Sequence, residues 1–456
     1  MPHSEPNQIP DQVDVVIVGG GLSGMSAARR LHDRDVSVAV LEARDRVGGR
    51  TWSKQIGKGT FDVGGQWLGP TQDRVASLAR ELNIGTFPTY HQGKKLLDVD
   101  GKLSTYKGDI PKLPLIDLVE LQLLTMRFNR MAKNVPLANP AAARGAEKLD
   151  GMSLETWKRR NIRSRKIRGL IDAATRVVFG AEPSELSLLH FLFYSRAGGN
   201  FLNLCEIDGG AQQDRFVTGA QSLSTGLADK LGDRVCLSAP VRQIRQSDDG
   251  AVVVTDRGET RAKYVVVAMP PALVGRIQYD PALPAGRDQL TQRVPMGSTV
   301  KCLVTYDEPF WRAAGFSGEV VCTGGPVTVW FDNCSHDNAQ PALVGFVVGK
   351  AARTWAQRSE ADRRRALTQS LTRYFGSRAG EPSEIVEQDW SAEPWTRGCP
   401  VGVVPPGVLS TFGTTLRQPV GRLHWAGTET ATVWNGYLEG AIEAGERAAR
   451  EVLRRL

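Results

Sequence analysis

The chain has 456 residues, 41% hydrophobic and 23% charged, with a formal net charge of +8. That length exceeds what one hydrophobic core ordinarily serves, so two structural units are expected, and the composition excludes a collagenous, disordered or disulfide-stapled chain. The basic balance suits anionic cofactors but does not carry a nucleic-acid reading, because the densest basic run, KRRNIRSRKIR at 158–168, has no interleaved aromatics.

The N-terminal segment MPHSEPNQIPDQ is polar and proline-bearing, without the apolar stretch of a signal peptide. Nowhere does the chain reach the roughly 18 uninterrupted apolar residues that suggest a membrane span. Six cysteines (Cys205, Cys236, Cys302, Cys322, Cys334 and Cys399) are scattered, with no CxxC pair and no histidines at ligand spacing. Neither a disulfide framework nor a metal site is expected. A cytoplasmic, soluble protein follows, with neither nucleic acid nor membrane among its partners.

The segment 13–50, VDVVIVGGGLSGMSAARRLHDRDVSVAVLEARDRVGGR, predicts a first βαβ unit. A β-branched run at 15–18 enters a glycine turn, a helix follows, and a second β-branched run at 36–41 ends at Glu42. Gly19-x-Gly21-x-x-Gly24 has the spacing for a tight turn, close approach of backbone to a pyrophosphate, and helix-on-strand packing. The helix start, at Ser23, presents free N–H groups to phosphate. Glu42 is placed to accept hydrogen bonds from ribose hydroxyls, which disfavours a 2′-phosphate. This fingerprint implies a dinucleotide and leaves NAD and FAD open. Arg44, Arg46, Gly48, Gly49 and Arg50 follow, then FDVGGQWLGPT with Gly65, Gln66 and Trp67. An NAD domain would ordinarily proceed to another βαβ repeat. The continuation instead resembles the extended start of flavin amine oxidases, in which basic and glycine-rich residues run on along FAD.

From about 86 to 204 the pattern predicts mainly helices, with LIDLVELQLLTMRFNRMAKNV and SELSLLHFLFYSRAG showing three- and four-residue apolar spacing. A β-rich return follows, VRQIRQSDDGAVVVTDRG reading as two strands joined at Asp249-Gly250, and YVVVAMPP as a buried strand. TVKCLVTYDEPFW, VTVWFDN and ALVGFVVG suit a sheet flooring a cavity, and ADRRRALTQSLTRYFG an amphipathic helix. The segment 421–453 reads as a strand through 423–425, a turn at Gly427-Thr428-Glu429, and a closing helix from near Gly436-Tyr437.

Taken together, the motifs GGGLSG, EARDRVGGRT, GGQWLG, MGSTVKC, EPFW, AGTETAT and GYLEGAIEAGERAA, in this order, resemble the flavin-containing monoamine oxidase family, and its soluble bacterial members in particular. The resemblance implies a two-lobed α/β fold, a Rossmann-like FAD-binding domain (1–85, 209–290 and 391–456) interleaved with an α+β substrate domain (86–208 and 291–390). It implies oxidation of a primary monoamine, with a hydride equivalent passed to flavin N5, the imine hydrolysed to a carbonyl compound and ammonia, and oxygen released as hydrogen peroxide. Beyond the residues of the first unit, Val241, Trp390, Cys399, Gly427, Thr428 and Glu429 fall at cofactor positions. Lys301 matches the lysine that holds a water near N5, and Tyr437 one wall of an aromatic cage. The opposite wall falls at Pro400, a departure that leaves the pocket reshaped. Trp67, Leu204, Gln212 and Val329 match further pocket positions. Cys399 falls where several relatives tether the flavin through sulfur, and the tether stays open here, as does a homodimer. The alternatives are a diamine or polyamine oxidase, with Asp332 as the acid for a distant ammonium, an L-amino-acid oxidase using Arg176 or Arg196 for a carboxylate, and a non-catalytic FAD-binding protein.

Overall fold

A computed structural model describes residues 8–108 and 113–456, so most of the polar N-terminal segment lies outside the described residues. Two large sheets organise the chain. The first runs in the order Val235–Cys236, Val38–Leu41, Gln12–Val18, Gly258–Val267, Ala251–Thr255, Val241–Gln246, Gln278–Asp280. Gln12–Val18 pairs in parallel on both edges, and its residues 15–18 are buried, which is why they form one β-branched run rather than alternating. The outer edge of Gly258–Val267 is shared: Ala251–Thr255 lies antiparallel along its first half, and Leu423–Trp425 parallel along its last three residues. This sheet is therefore assembled from three distant parts of the chain.

Helix Leu22–His32 packs on that sheet and on the C-terminal helix Leu438–Leu453. Small residues set the contact distance. A Cβ on Gly24 would lie 2.0 Å from Gly19 O, and one on Gly445 would lie 2.1 Å from Ser23 O.

The second sheet is ordered Glu384–Asp389, Thr299–Thr305, Ala342–Val348, Val329–Asp332, Phe316–Cys322, Lys94–Val99, Lys102–Tyr106. Its last two strands correct the expectation of a mainly helical stretch beginning at 86, as does the short strand Thr86–Pro88. The reason is charge inside the sheet. Lys95 is buried against Glu319 at 3.1 Å, and buried Asp98 accepts from the Tyr374 hydroxyl at 3.1 Å, so the polar–apolar alternation of a half-buried strand is missing from KKLLDV. Helices take over at Leu115–Lys133, Leu154–Asn161, Arg165–Phe179 and Leu188–Ala197. The last is buried on nearly every side; Phe191, Leu192 and Tyr194 anchor the helical core.

Candidate active site

A cavity of about 360 Å3 is lined by residues of both sheets and of the helical segment. At one end stand Gly19, Gly21, Ser23, Glu42, Arg44 and Val241, and at the other Val177, Val178, Tyr194, Leu204 and Gln212. Gly49, Arg50, Gly65, Gln66, Trp67, Lys301, Trp390, Cys399, Pro400, Gly427, Thr428 and Tyr437 line the wall between.

The first end is built by the glycine turn. Gly19 has φ +105° and a Cβ there would meet Ala268 O at 2.8 Å, so glycine is required for the turn itself. Gly21 serves a different purpose: a Cβ there would meet nothing nearer than Gly49 Cα at 3.7 Å, and would project into the cavity that a pyrophosphate needs. The helix beginning at Leu22 has no side-chain cap, which leaves its first N–H groups to a ligand. Glu42 accepts from Gly20 N at 2.6 Å and from Arg44 N at 3.0 Å, which fixes its carboxylate at the end of the second strand. Together with Arg44, Arg50, Arg242 and Arg276 on the wall, this cradle fits a dinucleotide.

Two of the expected cofactor residues, Gly24 and Glu429, act from behind the wall. Gly24 lies under the turn, where it sets the helix packing. Glu429 does not line the cavity; it binds Arg50 in a fork at 2.6 and 3.0 Å and accepts from Gly402 N at 3.2 Å. Burial works against the Arg50 charge, but Glu429 outweighs it and holds the guanidinium firmly protonated. Thr428 donates its hydroxyl to Tyr437 O at 2.9 Å, and Ser23 accepts from Gly427 N at 2.9 Å.

Lys301 sits in the strand Thr299–Thr305 with its ammonium 5.8 Å from the Trp67 ring centroid and 5.7 Å from that of Phe346. Nζ donates to Gly64 O at 2.9 Å and to Gln66 Oε1; Gln66 Nε2 in turn donates to Asn333 Oδ1 at 3.0 Å. Burial pushes the lysine down to about 7, with Asp62 partly opposing and Arg215 reinforcing the shift. A lysine poised there titrates near neutrality, and its third direction, away from the two acceptors, is left for a ligand.

Tyr437 is half-buried at the cavity wall, desolvation there raises its phenol well above the ordinary value, and its ring is braced by Trp434 (5.0 Å, 74°) and Tyr194 (6.0 Å, 44°). Pro400, a small ring without π character, lines the same cavity and accepts from Arg50 at 2.9 Å through its carbonyl. Cys399 lines the cavity too, and burial lifts its thiol to about 12 although Thr299, Arg50 and Lys301 pull the other way. Val329 corrects the expected pocket: it is not on the cavity wall. It packs among Trp67, Phe331 and Phe346, and the longer Phe346, directly across in register, reaches the cavity in its place.

The acid and arginines of the alternative readings are engaged elsewhere. Asp332 is bound by Arg312 at 2.7 and 2.8 Å and by Trp311 Nε1 at 2.8 Å. Arg176 pairs with Glu182 at 2.8 Å, and Arg196 donates to Lys133 O and Val135 O. Sequence reasoning missed Tyr194, Phe346 and Asn333. Tyr194 was hidden in a helix apolar on all faces; Phe346 was signalled by the alternation of ALVGFVVG, whereas nothing local marks Asn333.

A family model described as flavin containing amine oxidoreductase matches residues 22–453. The chain belongs to this family. The "Probable flavin-containing monoamine oxidase A" of Dictyostelium discoideum is 43% identical over 442 residues, 96% of this chain and 97% of that protein. Among solved structures, a putrescine oxidase bound to putrescine superposes with TM-score 0.95 at 33% identity, covering 97% of this chain and 99% of the other. Cyclohexylamine oxidase from Brevibacterium oxydans superposes with TM-score 0.94 at 35% identity, covering 98% and 99%. The protein is an FAD-dependent amine oxidase, acting on a small-molecule amine with oxygen. No helix among the described residues is long and apolar enough to cross a membrane.

Proposed function

We propose that this amine oxidase prefers primary monoamines whose carbon group is bulky and uncharged. One observation carries the reading. Among the described residues, Glu42 is the only carboxylate lining the cavity, and it stands at the dinucleotide end. The substrate end, with Trp67, Val178, Tyr194, Leu204, Gln212 and Phe346, offers no carboxylate to a second ammonium, and a buried charge without an opposite one costs several kcal/mol. Pro400 in place of an aromatic ring widens the approach to Tyr437, which suits an alicyclic amine, as the likeness to cyclohexylamine oxidase also suggests.

FAD bound along the cavity supplies the acceptor for the hydride equivalent, and oxygen removes the electrons as hydrogen peroxide. The chain's own residues bind, orient and dry the amine. Tyr437 presents its face to the nitrogen; the apolar walls favour the neutral amine, whose lone pair assists loss of hydride. Lys301 holds a water or proton at Nζ, fixed by Gly64 O and Gln66. Residues 1–85, 209–290 and 391–456 form the cofactor-binding unit in this reading, in keeping with the membership of the first sheet.

The purified protein should release peroxide with cyclohexylamine, hexylamine and benzylamine, with the alicyclic amine turned over fastest. Turnover confined to putrescine and spermidine, or to L-amino acids, would overturn the substrate class. The flavin is held without a covalent bond in this reading, since burial keeps the Cys399 thiol protonated and poorly nucleophilic. Acid precipitation should leave all the yellow colour in the supernatant. A yellow pellet that turns colourless in Cys399→Ala would establish the tether instead.

A further inference from the structure

The helix Leu115–Lys133 is apolar on two opposite faces. Leu124, Phe128 and Ala132 bury one face in the helical core. On the other, Leu115 (78% exposed), Ile116 (79%), Val119, Leu123 (61%) and Met126 recur at three- and four-residue spacing and form a continuous outward strip. Leu103 shares a shallow groove with Leu113 and Pro114 at the N-terminal end of the same helix and extends the strip. A contiguous apolar surface of this kind marks an interaction site.

Its surroundings say what it meets. The Glu120 carboxylate, at the edge of the strip, accepts from Arg163 N at 2.7 Å and Ser164 N at 2.8 Å, and Arg127 stands 5.0 Å over the Trp157 ring. These contacts bring the basic run 158–168 alongside the strip. Arg127, Arg130 and Lys133 of the helix and Arg159, Arg160, Arg163, Arg165 and Lys166 of the run are all exposed around it. Of the nearby acids, Glu155 is engaged by Lys158 and Arg159, and Asp100 lies 3.6 Å from Arg165. Lys158 turns inward to Glu155 and Asp172, whereas the exposed cations of the run serve neither the cavity nor the core.

We propose that this face docks on an anionic lipid surface, the leucine, isoleucine and methionine side chains entering the acyl boundary while the arginines and lysines meet phosphate headgroups. An apolar strip beside a basic margin is the arrangement by which amphipathic helices lie in a membrane interface. A second copy of the chain suits the face less well, because a two-fold contact would set the two basic margins against each other. A nucleic acid would satisfy the arginines but leave the strip in water. The expectation that no membrane is a partner, drawn from the absence of a spanning segment, does not reach a protein that lies on the surface.

The test is co-sedimentation of the flavin-loaded protein with vesicles of phosphatidylcholine alone or mixed with phosphatidylglycerol. Binding should appear with the mixed vesicles and weaken with salt. Arg160→Glu/Arg163→Glu should lower it about thirty-fold or more, at roughly five-fold for each basic side chain near the surface. Ile116→Ser/Leu123→Ser should abolish it, while both double variants keep flavin content, melting temperature and amine turnover, since none of these residues lines the cavity. Absence of binding to either vesicle, or binding that ignores lipid charge, would overturn the proposal. So would a concentration-dependent dimer that Ile116→Ser/Leu123→Ser dissolves.

Discussion

Lys301→Met is expected to lower kcat/KM for amine turnover by at least about 100-fold, within the range for a positioned proton-handling group, while the protein stays folded and yellow. Methionine keeps the length of the side chain but leaves Gly64 O and Gln66 Oε1 without their donor, at a cost of about 1–3 kcal/mol each. Release from burying the lysine charge offsets part of that cost. Anaerobic bleaching followed by reoxidation in air will separate the two half-reactions and show which one needs the lysine. Activity close to that of the parent would reduce Lys301 to a packed strand residue.

The same lysine gives a pH signature in stability. Its folded value near 7 lies below the ordinary 10.5, so between these values the unfolded chain holds a proton that the folded one does not, and stability rises with pH across that window. Below about 7 both states are protonated, and the penalty of the buried ammonium is present in full. Melting curves of parent and Lys301→Met should therefore diverge in slope between pH 7 and 10.5, with the variant flatter. Parallel profiles would mean the lysine is not desolvated.

The second large effect separates two glycines of one turn. Gly24→Val should give no soluble holoprotein, because its Cβ would fall 2.0 Å from Gly19 O and 3.1 Å from Ile17 Cγ2, and neither the turn nor the buried strand can yield. Gly21→Ala should fold with a melting temperature near that of the flavin-free parent, yet bind FAD far more weakly, since its methyl enters open cavity. Flavin absorbance per chain, read beside thermal unfolding, checks both. A yellow Gly21→Ala protein of undiminished flavin content would mean that no pyrophosphate passes over that turn.

Much of this was legible in the chain because the first βαβ unit carries local, redundant signals: a buried β-branched run, glycines whose spacing reflects separate steric demands, and an acid at the next strand end. Lys301 stood out for a similar reason, a cation inside VKCLV. What escaped detection depends on partners far along the chain. Val329 and Phe346 face each other across two strands, and only side-chain length decides which reaches the cavity. Asn333 matters through Gln66, 267 residues earlier, and no local pattern encodes that bond. The strands at 94–106 were obscured because Lys95 is paired with Glu319, and Asp98 with Arg373 and the Tyr374 hydroxyl, all from other segments.

The sharing of one strand's edge bears on how the protein is made. Gly258–Val267 must wait for Leu423–Trp425 to complete its pairing, and the helix Leu22–His32 must wait for Leu438–Leu453 to cover it. A polypeptide that has not yet been made as far as Leu453 thus cannot close the flavin cavity, and one cut before Leu423 would be colourless. Synthesis through this segment becomes a checkpoint: peroxide chemistry starts only when the helix Leu438–Leu453 has emerged and docked.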